Sequence, residues 1–311
     1  MIFMKEKILI KSYDISNPNY GKYPGSRSIN ELINNGFLLL DKPQGPTSHD
    51  VVAQIKKILG VNKACHIGTL DPGVSGVLPI LLGEARKVMP AFQKLNKEYV
   101  GVMHLHKDVD DKKIKKIISE FTGKILQTPP VKSAVARKER EREIFSFEIL
   151  DRKERDICFS VKCESGTYIR KLIDDIGKEI GGSHLRELRR IKVGIFGEEN
   201  CHTIDELKKI QGTDDIREIV FPIEFAIPIK KIWIKDSAIY NICNGAPLIT
   251  IGISRLDDGI KKEEMVAIMS MKGELVALGV AKLSSKEMLK GKHIAAKTDR
   301  VLMKKETYPK F

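Results

Sequence analysis

The sequence of 311 residues predicts an α+β fold: a mixed or antiparallel sheet in a large first domain, followed by a small C-terminal β-barrel. Three observations predict it. Apolar runs of strand length are interspersed with stretches of helical periodicity, without the strict alternation of a doubly wound fold. The length exceeds what one small core organises, so two domains are expected. From Pro222 the texture changes to short strands separated by turn signals at NGAP (244–247), DDG (257–259) and MKGE (271–274). The expected division is an N-terminal extension over 1–35, a main domain over 36–227 and a barrel over 228–311. The barrel is of a size that folds by itself.

Residues 1–35 hold a short apolar run, ILIKSYDI, then a stretch broken by Pro18, Gly21, Pro24 and Gly25 that is extended or loop-like. Phe37–Leu40 is a continuous apolar run of buried-strand length, interrupted by Pro43, Gly45 and Pro46. Thr47 or Ser48 caps a helix whose positions Val51, Val52, Ile55, Ile58 and Leu59 recur at helical spacing, and Gly60 ends it. A Gly-rich loop, HIGTLDPGVSG, leads into the apolar strand VLPILL and a helix from about Glu84. KEYVGVMHLHKD is a further strand. DDKKIKKIISEFTGKI is an amphipathic helix with Ile114, Ile117, Ile118 and Phe121 on one face. IFSFEIL and DICFSVKC alternate as strands do, and TYIRKLIDDIGKEIGG is a helix stopped by paired glycines.

Net charge is +13, from 54 basic against 41 acidic residues. Such an excess suits a polyanionic partner, because clustered Lys and Arg attract phosphate and release counterions. An alternative is a surface rich in both Lys and Glu, of the thermophilic kind. The five cysteines are scattered and form no CxxC pair, so neither a disulfide framework nor a metal site is expected. The apolar stretch VLPILL falls far short of the ~20 residues that cross a bilayer. The N-terminus mixes Lys and Glu into its apolar run, unlike a secretory signal. A cytoplasmic protein, bound to no membrane, is the expectation.

The segment GTLDPGVSG carries the most chemistry. Asp71, followed by Pro72 and flanked by Gly68, Gly73 and Gly76, sits in a turn that other backbone can approach closely. Taken bare, Asp-Pro-Gly is a common structural turn. No Gly-Lys-Ser/Thr follows, so it is not a phosphate-binding P-loop.

In its context the segment says more. LDKPQGPTSHDVV, HIGTLDPGVSGVLP and GEARK, then KEYVGVMHLH, VKCESGTYIRKLIDDIG and HLRELRRIKVG, resemble the TruB/dyskerin family of pseudouridine synthases, in the family's order. KDSAIYNICNGAPL, MKGELVALGVA and RVLMKKETYP resemble a PUA RNA-binding domain, which points to the dyskerin branch. The fold implied is a pseudouridine synthase catalytic domain with a PUA barrel. The N-terminal extension would pack on that barrel. The activity implied is isomerisation of uridine to pseudouridine in RNA, with no cofactor, because no redox change occurs and no energy is consumed.

The resemblance assigns the catalytic carboxylate to Asp71, which can serve as nucleophile at the ribose or the uracil ring, or stabilise a charged intermediate. Arg170, at the start of a helix, is the matching cation that keeps the carboxylate ionised in a partly buried site. Tyr99 matches the tyrosine lying against the everted base, where a phenol can also assist proton transfer from C5. His66 matches a histidine that helps to extrude the uridine, and Leu188 an apolar residue covering the pocket. Lys42 and Pro43 shape the supporting loop. One departure is Cys65, where the family more often has Gly; a Cβ there is expected to crowd the loop.

RNA contacts are expected in two basic segments. PVKSAVARKERERE (130–143) supplies Lys132, Arg137 and Lys138 from a loop-like segment, and RELRRIK (186–192) supplies Arg186, Arg189 and Arg190. The lysine-rich C-terminal domain would bind the ACA end of a guide RNA, and its removal is expected to spare the catalytic fold. The partners implied are guide RNA, substrate rRNA or tRNA, and the small accessory proteins of an H/ACA particle. A stand-alone tRNA enzyme with the same chemistry is the alternative. A non-catalytic RNA-binding scaffold is a third reading, though a pure binder needs none of Asp71, Tyr99 and Arg170 at these spacings.

Overall fold

A computed structural model describes residues 7–129 and 138–311. Two sheets organise it. The larger contains β2 (Gly36–Lys42), β3 (Ala64–His66), β4 (Val74–Leu82), β5 (Lys97–Leu105), β6 (Gly123–Gln127), β7 (Arg140–Lys153), β8 (Asp156–Cys163), β9 (Ser183–Val193), β10 (Phe196–Gly197) and β11 (Phe221–Pro222). Its order is β11-β2-β4-β9-β5-β8-β7-β6, with β3 on β4 and β10 on β9. Within this sheet, among the described residues, β4 pairs parallel with β9 and the other strand pairings run antiparallel.

The smaller sheet has seven strands. β12 (Lys231–Ile234), β13 (Leu248–Ile249), β14 (Ile253–Asp257), β15 (Met265–Ser270), β16 (Leu275–Ala281) and β17 (Ile294–Val301) are joined by β1 (Ile8–Ile10) from the N-terminal extension. β1 pairs antiparallel with β14, Leu9 facing Leu256.

The apolar run of β2 has a definite reason. Leu38 and Leu40 enter one core cluster, whereas Phe37 and Leu39 enter another. Successive side chains of a strand point to opposite faces, so a strand covered on both sides must be apolar at every position. The first cluster lies under three helices: α2 (Ser48–Leu59), α3 (Asp111–Glu120) and α4 (Ile169–Ile180). α1 (Ile29–Asn34) adds Leu32 to it. Thr47 caps α2 through a capping box with Asp50, and Gly60 closes it at φ +66°.

The second cluster joins the two sheets. Phe37, Val77 and Phe196 share it with Ala267, Met269, Leu275 and Leu278 of the smaller sheet. The small sheet thus covers part of one face of the large one, together with Ala85, Val88 and Phe92. Local features differ from expectation. The helix expected from Glu84 is a 3₁₀ segment, Gly83–Phe92, containing Pro90. Arg140–Glu143, expected in a loop, begin strand β7 and pair with β6.

Candidate active site

Asp71 lies in the turn between β3 and β4, and that turn is held from beneath. Lys42, at the end of β2, is fully buried, and its ammonium donates to the carbonyls of Pro43 and Val74 at 2.9 Å each and of Pro72 at 3.4 Å. Burial lowers the pKa of this lysine, although Asp71 nearby opposes the shift. The amide of Gly45 donates to the Pro72 carbonyl at 2.9 Å. The loop LDKPQG is thereby fastened to the loop bearing Asp71, while the Pro43 ring remains exposed.

Arg170, the second residue of α4, donates from Nη2 to Oδ2 of Asp71. The two side chains are 56% and 54% exposed, so the pair is only partly buried. The ion pair lies at the mouth of a cleft of about 600 Å³ whose walls include Leu70, Val74, Tyr99, Ile169, Leu188 and Arg190. Tyr99, the third residue of β5, is buried, and burial raises its phenol above the ordinary range. Leu188 on β9 is also buried, aligned with Val74 of β4 and Gly101 of β5. Gly101 has little room: a Cβ there would lie 2.7 Å from the Glu187 carbonyl.

The floor is cationic. Arg190 is 1% exposed; Nε donates to the carbonyl of Val77 and Nη2 to that of Gly68, each at 2.8 Å, and the guanidinium lies near the Tyr99 phenol. Burial depresses its pKa. This corrects the expectation of an RNA-facing Arg190: the guanidinium holds the backbone on either side of the Asp71 turn from inside. Lys97, which sequence reasoning missed, also lines the cleft. It is buried, donates to the Leu95 carbonyl at 2.6 Å, and burial beside Arg190 lowers its pKa to about 8. Among the described residues no carboxylate forms an ion pair with it.

His66 ends β3, half-buried and outside the cleft lining, with Nδ1 buried and lacking a hydrogen-bond partner. Burial, with His49 and Arg190 nearby, pushes its pKa down to about 4, so the ring is neutral at pH 7. His49 lines the cleft in its place, meeting His66 edge-to-face at 5.1 Å between ring centroids. The only sequence signal for His49 was its place beside a helix cap. Cys65 does not crowd the loop: it stands in β3 opposite Leu81 and packs on the second apolar cluster.

The other basic residues divide. Arg189 is bound bidentately by Asp41 at 2.9 Å and by Glu198 at 2.7 Å, so its charge is already matched. Arg186 is half-exposed but paired with Asp156 at 2.5 Å. Lys138 is exposed; Lys132 and Arg137 lie outside the described residues. Lys272 is tied to the Pro18 carbonyl at 3.0 Å and to that of Tyr20. No helix of the described residues is long and apolar enough to cross a membrane.

Comparison with known proteins agrees with this arrangement. Family models match over most of the chain: the N-terminal domain of the TruB family pseudouridylate synthases at 56–169, the C-terminal domain of tRNA pseudouridylate synthase B at 170–227, the PUA domain at 230–302 and the DKCLD domain at 2–52. A probable tRNA pseudouridine synthase B of Methanosarcina barkeri is 47% identical, covering 98% of this chain and 94% of its own. One of Methanopyrus kandleri is 46% identical over 99% of this chain and 94% of its own. Among solved structures, a chain in a Cbf5-Nop10-Gar1 complex superposes with a TM-score of 0.90 at 46% identity, covering 99% of this chain and 97% of that one. A chain of an H/ACA RNP bound to a substrate RNA containing 2′-deoxyuridine superposes at 0.89 and 44%, covering 99% and 98%. With identity this high over nearly the whole length, the chain belongs to the TruB family and is a pseudouridine synthase with a C-terminal PUA domain.

Proposed function

We propose that this enzyme is the catalytic subunit of a guide-RNA-dependent particle, converting uridine to pseudouridine in rRNA or tRNA with Asp71 as the reacting carboxylate. The observation that carries the reading is the Asp71–Arg170 pair at the mouth of a cleft lined by Tyr99 and Leu188. In the reaction the C1′–N1 bond breaks, the base turns, C1′–C5 forms, and the proton on C5 is exchanged for one on N1. Oxidation states are conserved, so the protein has to position, ionise and shuttle a proton. Asp71 meets the everted nucleotide at ribose or ring carbon. Arg170 offsets the repulsion between that carboxylate and approaching phosphates. Tyr99 lies against the base, and Leu188 excludes water above it. Eversion costs a few kcal/mol, least for an unpaired uridine.

Guide dependence is supported by the near-complete superposition on chains crystallised within Nop10-containing and substrate-bound H/ACA particles. Small accessory proteins of that kind are the partners proposed. A second reading, a stand-alone enzyme on tRNA, is favoured by the relatives' name, probable tRNA pseudouridine synthase B. Mass-spectrometric detection of pseudouridine separates the two: product in matched RNA only when guide is present supports the first, product in bare tRNA the second. Asp71→Asn is expected to abolish product and leave RNA affinity nearly intact. A variant that still makes pseudouridine overturns the assignment of Asp71.

A further inference from the structure

The side chain of Asp71 cannot be fixed by Arg170 alone. Both partners are more than half-exposed, and a solvent-screened pair holds two flexible side chains weakly. Positional accuracy has to come from the backbone beneath. Downstream of Asp71, Lys42 and Gly45 hold the carbonyl of Pro72, and the amide of Val74 donates to the Asp71 carbonyl at 3.0 Å. Upstream, the backbone is held by a group to which the reaction above gives no role. Ser48, the first residue of α2, is fully buried. Its hydroxyl donates to the carbonyl of Leu70 at 2.9 Å and accepts from the amide of the same residue at 2.9 Å.

We propose that Ser48 is a positioning residue for the isomerisation: its hydroxyl clamps both sides of Leu70 and so sets the direction in which the Asp71 carboxylate enters the cleft. This rests on Asp71 being the reacting carboxylate. The geometry explains the effect. Peptide units are planar, so the Leu70 carbonyl fixes the plane that also contains the Asp71 amide, and the Leu70 amide fixes the plane before it. Two successive planes are held by one rigid hydroxyl. The backbone that carries this hydroxyl is anchored, because Thr47 and Asp50 form a capping box around the first turn of α2. The Leu70 side chain is buried in the first core cluster, which anchors the same residue from its other side.

A hydroxyl that merely satisfied two buried backbone groups would affect stability and nothing else. The two roles differ in what they move. The test uses Ser48→Ala and Ser48→Thr in the full chain under the conditions of the pseudouridine assay, reading single-turnover rate, RNA affinity, melting temperature and amide hydrogen exchange over 68–75. Ser48→Ala is expected to slow the single-turnover rate by about tenfold to a hundredfold, the range that misplacement of the order of an ångström costs. RNA affinity should be unchanged, and exchange over 68–75 should rise. Ser48→Thr keeps the hydroxyl and should recover most of the rate. If Ser48→Ala does not fold, Ser48→Cys, similar in size but a weak donor, takes its place with the same expected direction. Wild-type turnover in Ser48→Ala, with Asp71→Asn inactive, overturns the clamp and leaves Asp71 standing. Product from Asp71→Asn overturns the reading of Asp71 itself. A rate loss that Ser48→Thr shares, matched by an equal fall in melting temperature, also overturns the clamp.

Discussion

His66 is a neutral imidazole at pH 7 because burial, His49 and Arg190 all disfavour its charged form. That has a consequence for stability. The unfolded chain takes up this proton near pH 6.5, the folded chain only near pH 4. Between those values the unfolded state binds more protons, so stability is lost as pH falls through the window. His66→Gln, which cannot titrate, should lack this loss. Urea unfolding at pH 7 and pH 4.5 is expected to show the wild type losing more than the variant, and parallel losses would refute it. The same contrast of depth orders the cations. Arg170 and Arg186 stand at the surface, whereas Arg190 and Lys97 lie beneath the cleft, where their fields are less screened.

The element that carries the site most directly is the parallel junction of β4 and β9. Gly76 of β4 lies opposite Arg190 of β9, at φ +103°, and a Cβ on it would fall 2.2 Å from the Arg190 carbonyl oxygen. Two backbones approach there as only glycine allows. Gly76→Ala should cost about 2–4 kcal/mol, from strained backbone and a forced parting of the strands. It should also loosen the register that brings Leu188 beside Val74. A urea midpoint within error of wild type would show that the junction yields easily. The motif GTLDPGVSG is thus two things at once: a turn as far as Gly73, then a buried strand whose glycine serves packing.

At the scale of the whole molecule, three stretches of chain are stitched together. Glu224, buried between the sheets, accepts from Arg27 at 2.6 and 2.8 Å and from the amide of Leu275 at 3.1 Å. Glu274 does the same for Lys22, Ser270 and Tyr308. With the shared apolar cluster, these contacts make the small sheet part of the large one's packing. A chain ending at residue 227 would lose Ala267, Met269, Leu275 and Leu278 from the second cluster and uncover part of it. A fully buried apolar side chain contributes about 1.5–3 kcal/mol by burial. Uncovering even two is a large fraction of a whole stability of about 5–15 kcal/mol. The truncated chain is expected to aggregate, or to bind a hydrophobic dye and melt far lower. A monodisperse fragment with the parent's melting temperature would refute the shared core.

Local pattern determined much of this protein. The α2 helix with its cap and Gly60, the buried runs of β2 and β4, the inward isoleucines of α4 and the turn around Asp71 are governed by neighbours a few residues away, and were legible in order. The family resemblance named Asp71, Tyr99, Arg170 and Leu188, and the fold brings all four to one cleft. Depth was not legible. In RELRRIK the three arginines look alike, yet Arg190 is interior, Arg189 is neutralised by two carboxylates and Arg186 is half-open. Their fates depend on the alternation of β9, on Asp41 and Asp156 of other strands, and on Glu198, which the turn after β9 folds back beside Arg189. His49 and Lys97 enter the cleft, and Ser48 reaches Leu70, only because α2, β5 and the β3–β4 turn converge. Sequence sets which elements form; the packing of distant elements decides which charges lose their water.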